Sequence, residues 1–308
     1  MPAPRADRLA LPAILLANAT LAMGPFLVRL SSEEGGVGPV AAGFWRLALA
    51  LPLLLALAAA TRPRPAPADA RRPLWPVLVA AGLFFAADLG AWHIGILQTR
   101  LANATLFGNV PAFAFPIYGF IVARRGPRGA EAAGLALAAA GTLLLLGRSY
   151  ELSPRHLLGD ALAILAGLLY TVYLVIMDRV RGRLGPMPAL AASTLAGVLP
   201  ILAFALLLGE RVWPAAWGAL ILLALGSQVI GQGLLVYSVG RLPPLTVGLS
   251  LLLQPIASAT AGWISYGERL EPLDYAGALL LCAALVLVQR KGATRPCPAK
   301  PEGSSQAA

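Results

Sequence analysis

Between Gly226 and Arg269 lie two apolar runs of about 20 residues each, separated only by Arg241-Leu242-Pro243-Pro244. About 20 apolar residues is the length of one helical bilayer crossing, so this stretch reads as a transmembrane hairpin with almost no loop. The runs also carry Gln228, Gln232 and Gln254, with Ser227, Ser238 and Ser250 nearby. In hydrocarbon an amide must face protein or water. Two readings of the three glutamines stand side by side. They are interhelical hydrogen-bonding groups, each worth about 1 kcal/mol, or they line a solute site.

The hairpin has an echo upstream, from Leu83 to Arg125. It too shows an apolar run with a Gly near its end, a short polar link, and a second run with a proline inside. Pro111 and Pro255 are 144 positions apart, and Gly95 and Gly240 are 145 apart. At that offset Asp88 falls within one position of Gln232, and His93 within one of Tyr237. Such self-similarity in an apolar chain suggests an internal duplication.

Bulk composition agrees with a polytopic membrane protein. The 308 residues are 58% hydrophobic and only 12% charged, and the mean hydropathy is +0.75. No soluble domain needs that much apolar surface. The net charge of +10 does not point to nucleic acid, because the basic residues sit in short segments between spans, where they set topology. The expected partners are membrane lipid and a small-molecule substrate, with a second copy of the chain as a further candidate. Arg5 and Arg8 precede the first span without a small-residue cleavage site, so no cleaved signal peptide is expected. Cys282 and Cys297 have no evident disulfide or metal partner. No cofactor or metal is expected.

The pattern predicts ten spans, at roughly 10–29, 38–60, 75–97, 101–123, 130–147, 158–177, 188–208, 216–238, 244–266 and 272–289. The fold class is an all-α polytopic membrane protein. With the N-terminus in the cytoplasm, 17 of the 24 Lys and Arg fall inside, six outside, and Arg46 within a span. That bias puts both ends in the cytoplasm of a multi-pass cell (inner) membrane protein. Five spans per repeat force the second copy upside down. Two inverted five-helix repeats result, 10–147 and 158–289, with a disordered cytoplasmic tail over 290–308. Inverted repeats are a transporter architecture that handles solute near the midplane.

Spans one and two, PFLVRLSSEEGGVGPVAAGFWRLALALPLLL, resemble the opening of the EamA family of the drug/metabolite transporter superfamily. So do ANATLFGNVPAF and GRLPPLTVGLSLLLQPIASATAGWISYGERLEPLDYAGALLL. The resemblance runs from about Leu11 to Val288. It implies ten helices in two inverted halves, a cavity lined by spans 1, 3, 4, 6, 8 and 9, and export of small metabolites, often amino acids or related compounds. One departure stands out. The fourth span of the family usually ends near a Glu, as the ninth does here at Glu268, but this chain has Ala123-Arg124-Arg125.

Asp88, His93 and Arg46 are the ionisable groups deepest in spans. A charge at the bilayer centre costs at least ~2.5 kcal/mol, so such residues are functional candidates, with a structural ion pair as the alternative. Arg46 lies roughly 12 Å below the outer surface and Asp88 roughly 13 Å below the same surface, at about 1.5 Å per residue. A buried ion pair between them, or a shared wet cavity, is therefore expected. His93 lies nearer the outer interface, and Asp160, after Gly159, reads as a helix N-cap. Asp88 and Trp92 share a helix face, as do Gln228 and Gln232, and Tyr170 and Tyr173. With Asn109 and Gln254 these residues form the candidate substrate site. Aromatic rings plus amides suit an amphipathic organic solute better than a bare ion. The prolines Pro25, Pro111, Pro116 and Pro255 break helical ladders inside spans, and Gly90, Gly95, Gly108, Gly231 and Gly233 permit close packing.

The inverted-repeat pattern and the family resemblance thus favour a secondary transporter. An intramembrane enzyme acting on a lipid or small molecule is the alternative, yet no span holds paired carboxylates or a Ser/His pair, and His93 and His156 are the only histidines. A channel would want a symmetric polar ring. No nucleotide-binding loop of the GxxxxGK[ST] form appears, so the drive would be a gradient, with protons the first candidate because of Asp88.

Overall fold

A computed structural model describes residues 9–61, 73–99, 104, 107–147, 156–257 and 272–292. Every described element longer than an isolated bridge is a helix. In chain order they are α1 (Ala10–Leu21), α2 (Gly24–Gly35), α3 (Pro39–Ala60), α4 (Trp75–Gln98), α5 (Val110–Val122), α6 (Ala130–Gly147), α7 (Leu157–Leu184) and α8 (Pro186–Leu207). They continue with α9 (Gly218–Ser238), α10 (Pro244–Ala257) and α11 (Pro272–Gly292). By length and composition six apolar stretches suffice to cross a membrane: α1 with α2 (Ala10–Gly35), α3, α4, α7, α8 and α9. Four shorter apolar helices lie in α5, α6, α10 and α11.

Apolar side chains point outward as well as inward. Leu207 is 85% exposed, Leu199 72% and Ile121 69%. Exposed apolar surface on that scale is what a lipid-facing bundle requires. With no hydrophobic drive between helices in lipid, association rests on close packing of small residues. Gly82 of α4 is such a residue: a Cβ there would lie 2.6 Å from the Ser193 carbonyl oxygen of α8. Across the same contact, a Cβ on Gly197 would lie 3.0 Å from the Gly82 carbonyl oxygen. α5 and α10 meet through a reciprocal arrangement of glycine on proline, Gly248 against Pro116 and Gly119 against Pro244. Pro116 is thus a packing residue. Of the glycines singled out above, Gly90 packs on Phe204 and Gly231 on Leu21, whereas Gly233 meets Met187 only at ordinary contact distance.

Helix α4 packs on α7 and α8, α3 on α8 and α9, α6 on α11, and α5 on α10; α1 lies against α9 and α10. The short turn from α9 to α10 has Gly240 at φ 69°, a backbone conformation that residues with a Cβ rarely adopt.

Several boundaries differ from the pattern-based expectation. The first span is broken after Leu21 and then runs on to Gly35, past the expected end at 29. α7 extends to Leu184, so Arg179, Arg181 and Arg183 lie on its last turns rather than in a loop. There they face the negative end of the helix dipole. α11 continues to Gly292, three residues into the expected tail, and 293–308 lie outside the described residues, as do Glu268 and most of 100–106. Within α9, Leu223–Gln232 is π-helical, with 10 residues bonded in the wider i→i+5 pattern.

The glycine contacts give a direct test. Gly82→Val should lower thermal stability by about 1–3 kcal/mol through overpacking against the α8 backbone, while Gly233→Ala should change it little. Melting of the purified protein in detergent, followed by loss of the monodisperse peak, measures both.

Candidate functional site

Three helix breaks converge on the middle of the bundle. α1 gives way to α2 just before Pro25, α5 begins after Asn109 just before Pro111, and α10 is interrupted at Leu252 just before Pro255. Proline lacks an N–H, so the helical bond to the residue four back is missing at each. Around these breaks lies a cavity of about 860 Å³, its opening included. It is lined at the breaks by Leu21, Ala22, Pro25, Asn109, Pro111, Leu251 and Gln254, and from intact helices by Arg46, Asp88, Trp92, Tyr170 and Gln232. All six spans that the family resemblance implied contribute, and the second span adds Arg46.

Six of the nine candidate substrate residues therefore meet in one place: Asp88, Trp92, Asn109, Tyr170, Gln232 and Gln254. Their polar atoms are partly tied to one another. The Tyr170 hydroxyl donates to Gln232 Oε1 at 2.9 Å. Gln254 Nε2 donates to Asn18 Oδ1 at 2.9 Å, and Asn18 Nδ2 donates to the Ile14 carbonyl and to Ser250 Oγ. Asn18, fully buried on α1, was not singled out from the sequence. It is a lone amide in an apolar run, and its spacing to Gln254 is 236 residues, which no local pattern reveals.

The other three candidates sit elsewhere. His93 is fully buried against α3, where its Nδ1 lies 2.7 Å from the Pro39 carbonyl oxygen. A carbonyl only accepts, so the proton of this bond is on Nδ1. Successive helical residues project about 100° apart, so with Trp92 on the cavity its neighbour His93 turns away. Tyr173 is also fully buried, stacked on Phe85 with ring centroids 4.6 Å apart, one turn beyond Tyr170. Gln228 is buried off the cavity, between α3 and α8. Its Oε1 accepts from Arg46 Nε at 3.1 Å, and its Nε2 donates to Thr194 Oγ1 at 3.1 Å. The interhelical reading holds for Gln228, while Gln232 lines the cavity.

Of the two arrangements expected for Arg46 and Asp88, a buried ion pair or a shared cavity, a direct pair is not formed. Among the described residues no hydrogen bond or ion pair joins them. The Arg46 guanidinium is instead held edge-on by Gln228, with Cζ 5.8 Å from the Phe85 ring centroid. What the two charges share is the cavity. Asp160, one turn into α7, accepts from Thr99 Oγ1 at 2.6 Å; the N-cap itself is His156.

Outside the spans, the Arg125 guanidinium of the α5–α6 turn is bonded by Glu131 on α6, with Nη2 to Oε1 at 2.8 Å. That bond holds Arg125 above the ordinary arginine range. Glu131 thus ties the first turn of α6 to the basic stretch that follows α5.

The two glutamines of α9 should separate by substitution. Gln228→Leu leaves Arg46 Nε and Thr194 Oγ1 without their bonds, which should cost about 1–3 kcal/mol of stability. Gln232→Leu should leave expression and melting nearly intact and lower transport. Thermal melting and a transport assay on both variants check this. Full transport by the Gln232 variant would reduce that amide to packing.

Residues 157–290 match the EamA-like transporter family. The chain is 27% identical over 219 residues to the threonine/homoserine exporter RhtA of Escherichia coli strain K12, covering 69% of this chain and 70% of that one. It is 30% identical over 152 residues to the protein of the same name from Salmonella typhimurium, covering 48% of this chain and 50% of that one. An uncharacterized transporter of Archaeoglobus fulgidus is 24% identical over 204 residues, covering 64% of this chain and 70% of that one. A crystal structure of a protein at 21% identity superposes with a TM-score of 0.72, over 93% of this chain and 96% of that one, so the fold is shared. The EamA-like match thus lies in the second half of the chain, the apolar helices mark an integral membrane protein, and the likenesses point to small-molecule transport rather than catalysis.

Proposed function

We propose that this protein, whose residues 157–290 match the EamA-like transporter family, is a secondary exporter of small organic metabolites, amino acids or related compounds, across the cell (inner) membrane. One observation carries the reading: a cavity inside the bundle is lined by polar atoms that make no hydrogen bond within the protein. Among the described residues, both Asp88 carboxylate oxygens, Arg46 Nη1 and Nη2, Gln232 Nε2 and Gln254 Oε1 have no such partner. Polar groups left in that state at membrane depth are costly unless water or a solute satisfies them. Irregular backbone at that depth is tolerated where it is buried in protein or lines a water-filled cavity. The names of the relatives in Escherichia coli and Salmonella favour an amino-acid solute and outward transport.

Two inverted repeats fit the packing. Exchanging spans 1–5 with 6–10 turns the contact of α4 with α7 into that of α9 with α1, and the contact of α4 with α8 into that of α9 with α3. The pairs α3–α8, α5–α10 and α6–α11 map onto themselves. With ten spans and the bias of basic residues, both termini are cytoplasmic. The cavity lies within one chain, so this reading needs no second copy.

Counterflow in proteoliposomes tests the function. Vesicles preloaded with unlabelled L-threonine or L-homoserine should accumulate the labelled compound transiently, and Asp88→Asn should reduce that uptake at least tenfold. Equal uptake by protein-free vesicles for these and for every other amino acid would contradict the reading.

A further inference from the structure

We propose that Arg46 and Asp88 are the two poles of a site for a zwitterionic head group, with the guanidinium taking a carboxylate and the Asp88 carboxylate taking an ammonium. The proposal rests on the transport reading above and adds the chemistry of the solute and the role of Arg46.

The geometry around Arg46 carries it. Nε is fixed by Gln228, which Thr194 of α8 fixes in turn. The guanidinium sits over the Phe85 face. What remains is the Nη pair, a planar fork of donors with no partner among the described residues. That fork matches a carboxylate in bidentate fashion. The pose is built from three side chains on three helices, α9, α8 and α4, so the fork is oriented before any solute arrives. Gln228 and Thr194 act through Arg46 and are positioning residues.

Asp88 opens onto the same cavity and has no hydrogen bond or ion pair of its own among the described residues. The two charges are therefore placed together without neutralising each other by contact. A simple anion would satisfy Arg46 and be repelled by Asp88, and a simple cation the reverse. A solute carrying both charges a few bonds apart satisfies both poles. Discrimination against either single-charge solute is then built in by repulsion. Among the described residues the remaining wall is uncharged, with Leu21, Phe85, Leu89, Trp92, Tyr170 and Leu251, and it suits a neutral side chain.

Competition in counterflow, using reconstituted wild-type protein and labelled L-threonine, reads this without any variant. L-Threoninamide lacks the carboxylate, and N-acetyl-L-threonine lacks the ammonium. Each should compete about tenfold or more weakly than L-threonine, because each leaves one buried charge unpartnered. Arg46→Gln should abolish the discrimination between acid and amide while keeping that against the N-acetyl compound, and Asp88→Asn should do the opposite. Gln228→Met should weaken discrimination against the amide while Arg46 is intact. If both derivatives compete as well as L-threonine, the proposal is wrong. If L-threonine is not carried but another amino acid is, the same acid, amide and N-acetyl series is run on that one. If only solutes lacking one of the two charges are carried, the zwitterion site falls while the transport reading stands. If monodisperse, reconstituted protein carries no organic solute, both fall.

Discussion

Hydrocarbon offers no hydrogen bonds, and the whole arrangement follows from that constraint. A helix crossing it satisfies its own backbone, so the ordinary spans need only close packing, supplied by contacts such as Gly82 on α8 and Gly248 on Pro116. A broken helix cannot satisfy itself. The chain places its breaks at Pro25, Pro111 and Pro255 around one internal cavity, where side-chain amides and charges also gather. Among the described residues, the cavity gathers Arg46, Asp88, Asn109, Gln232 and Gln254, while apolar side chains such as Leu199 and Leu207 face outward.

Within that cavity the hydrogen bonds sort the polar residues into supports and free groups. Asn18 ties Gln254 to Ser250, Gln228 ties Arg46 to Thr194, and Tyr170 ties itself to Gln232. Each tie crosses between helices and fixes a side chain that keeps further donors or acceptors for the cavity. Groups so oriented bind with little loss of side-chain entropy. The π-helical stretch of α9 belongs to the same design. It carries both Gln228 and Gln232, yet sends the first to Arg46 and the second to the cavity. π-helical turns inside α-helices are frequent at functional sites.

Much of this was legible in the sequence because bilayer thickness fixes span length. Most apolar runs start within two residues of the helices they mark, although those of the first and sixth spans run on by about two turns, and Pro25, Pro111 and Pro255 mark the breaks while Pro116 sits inside unbroken α5. Side-chain direction was less legible. Trp92 and His93 are neighbours in sequence and face different surroundings. Gln228 and Gln232 share a face only on an ideal α-helix, and the wider winding of α9 is invisible to a 3.6-residue period. The matching depths of Arg46 and Asp88 put them on one cavity, but depth says nothing of rotation about the helix axis, and Gln228 holds the guanidinium instead of a direct pair forming. Asn18 was missed for a related reason: its partners are far away in sequence, and a single amide in an apolar run gives no periodic signal.

On the proposed transport reading, the cavity is the solute's path and opens in turn to each face of the membrane. Gln254→Cys, in a chain with Cys282 and Cys297 replaced by alanine, tests this most directly. Labelling with a membrane-impermeant maleimide is measured in right-side-out and inside-out vesicles, with and without saturating solute. The predicted result is labelling from both sides, slowed by solute in each orientation. Labelling from only one side under every condition, or labelling that solute leaves unchanged, would contradict it.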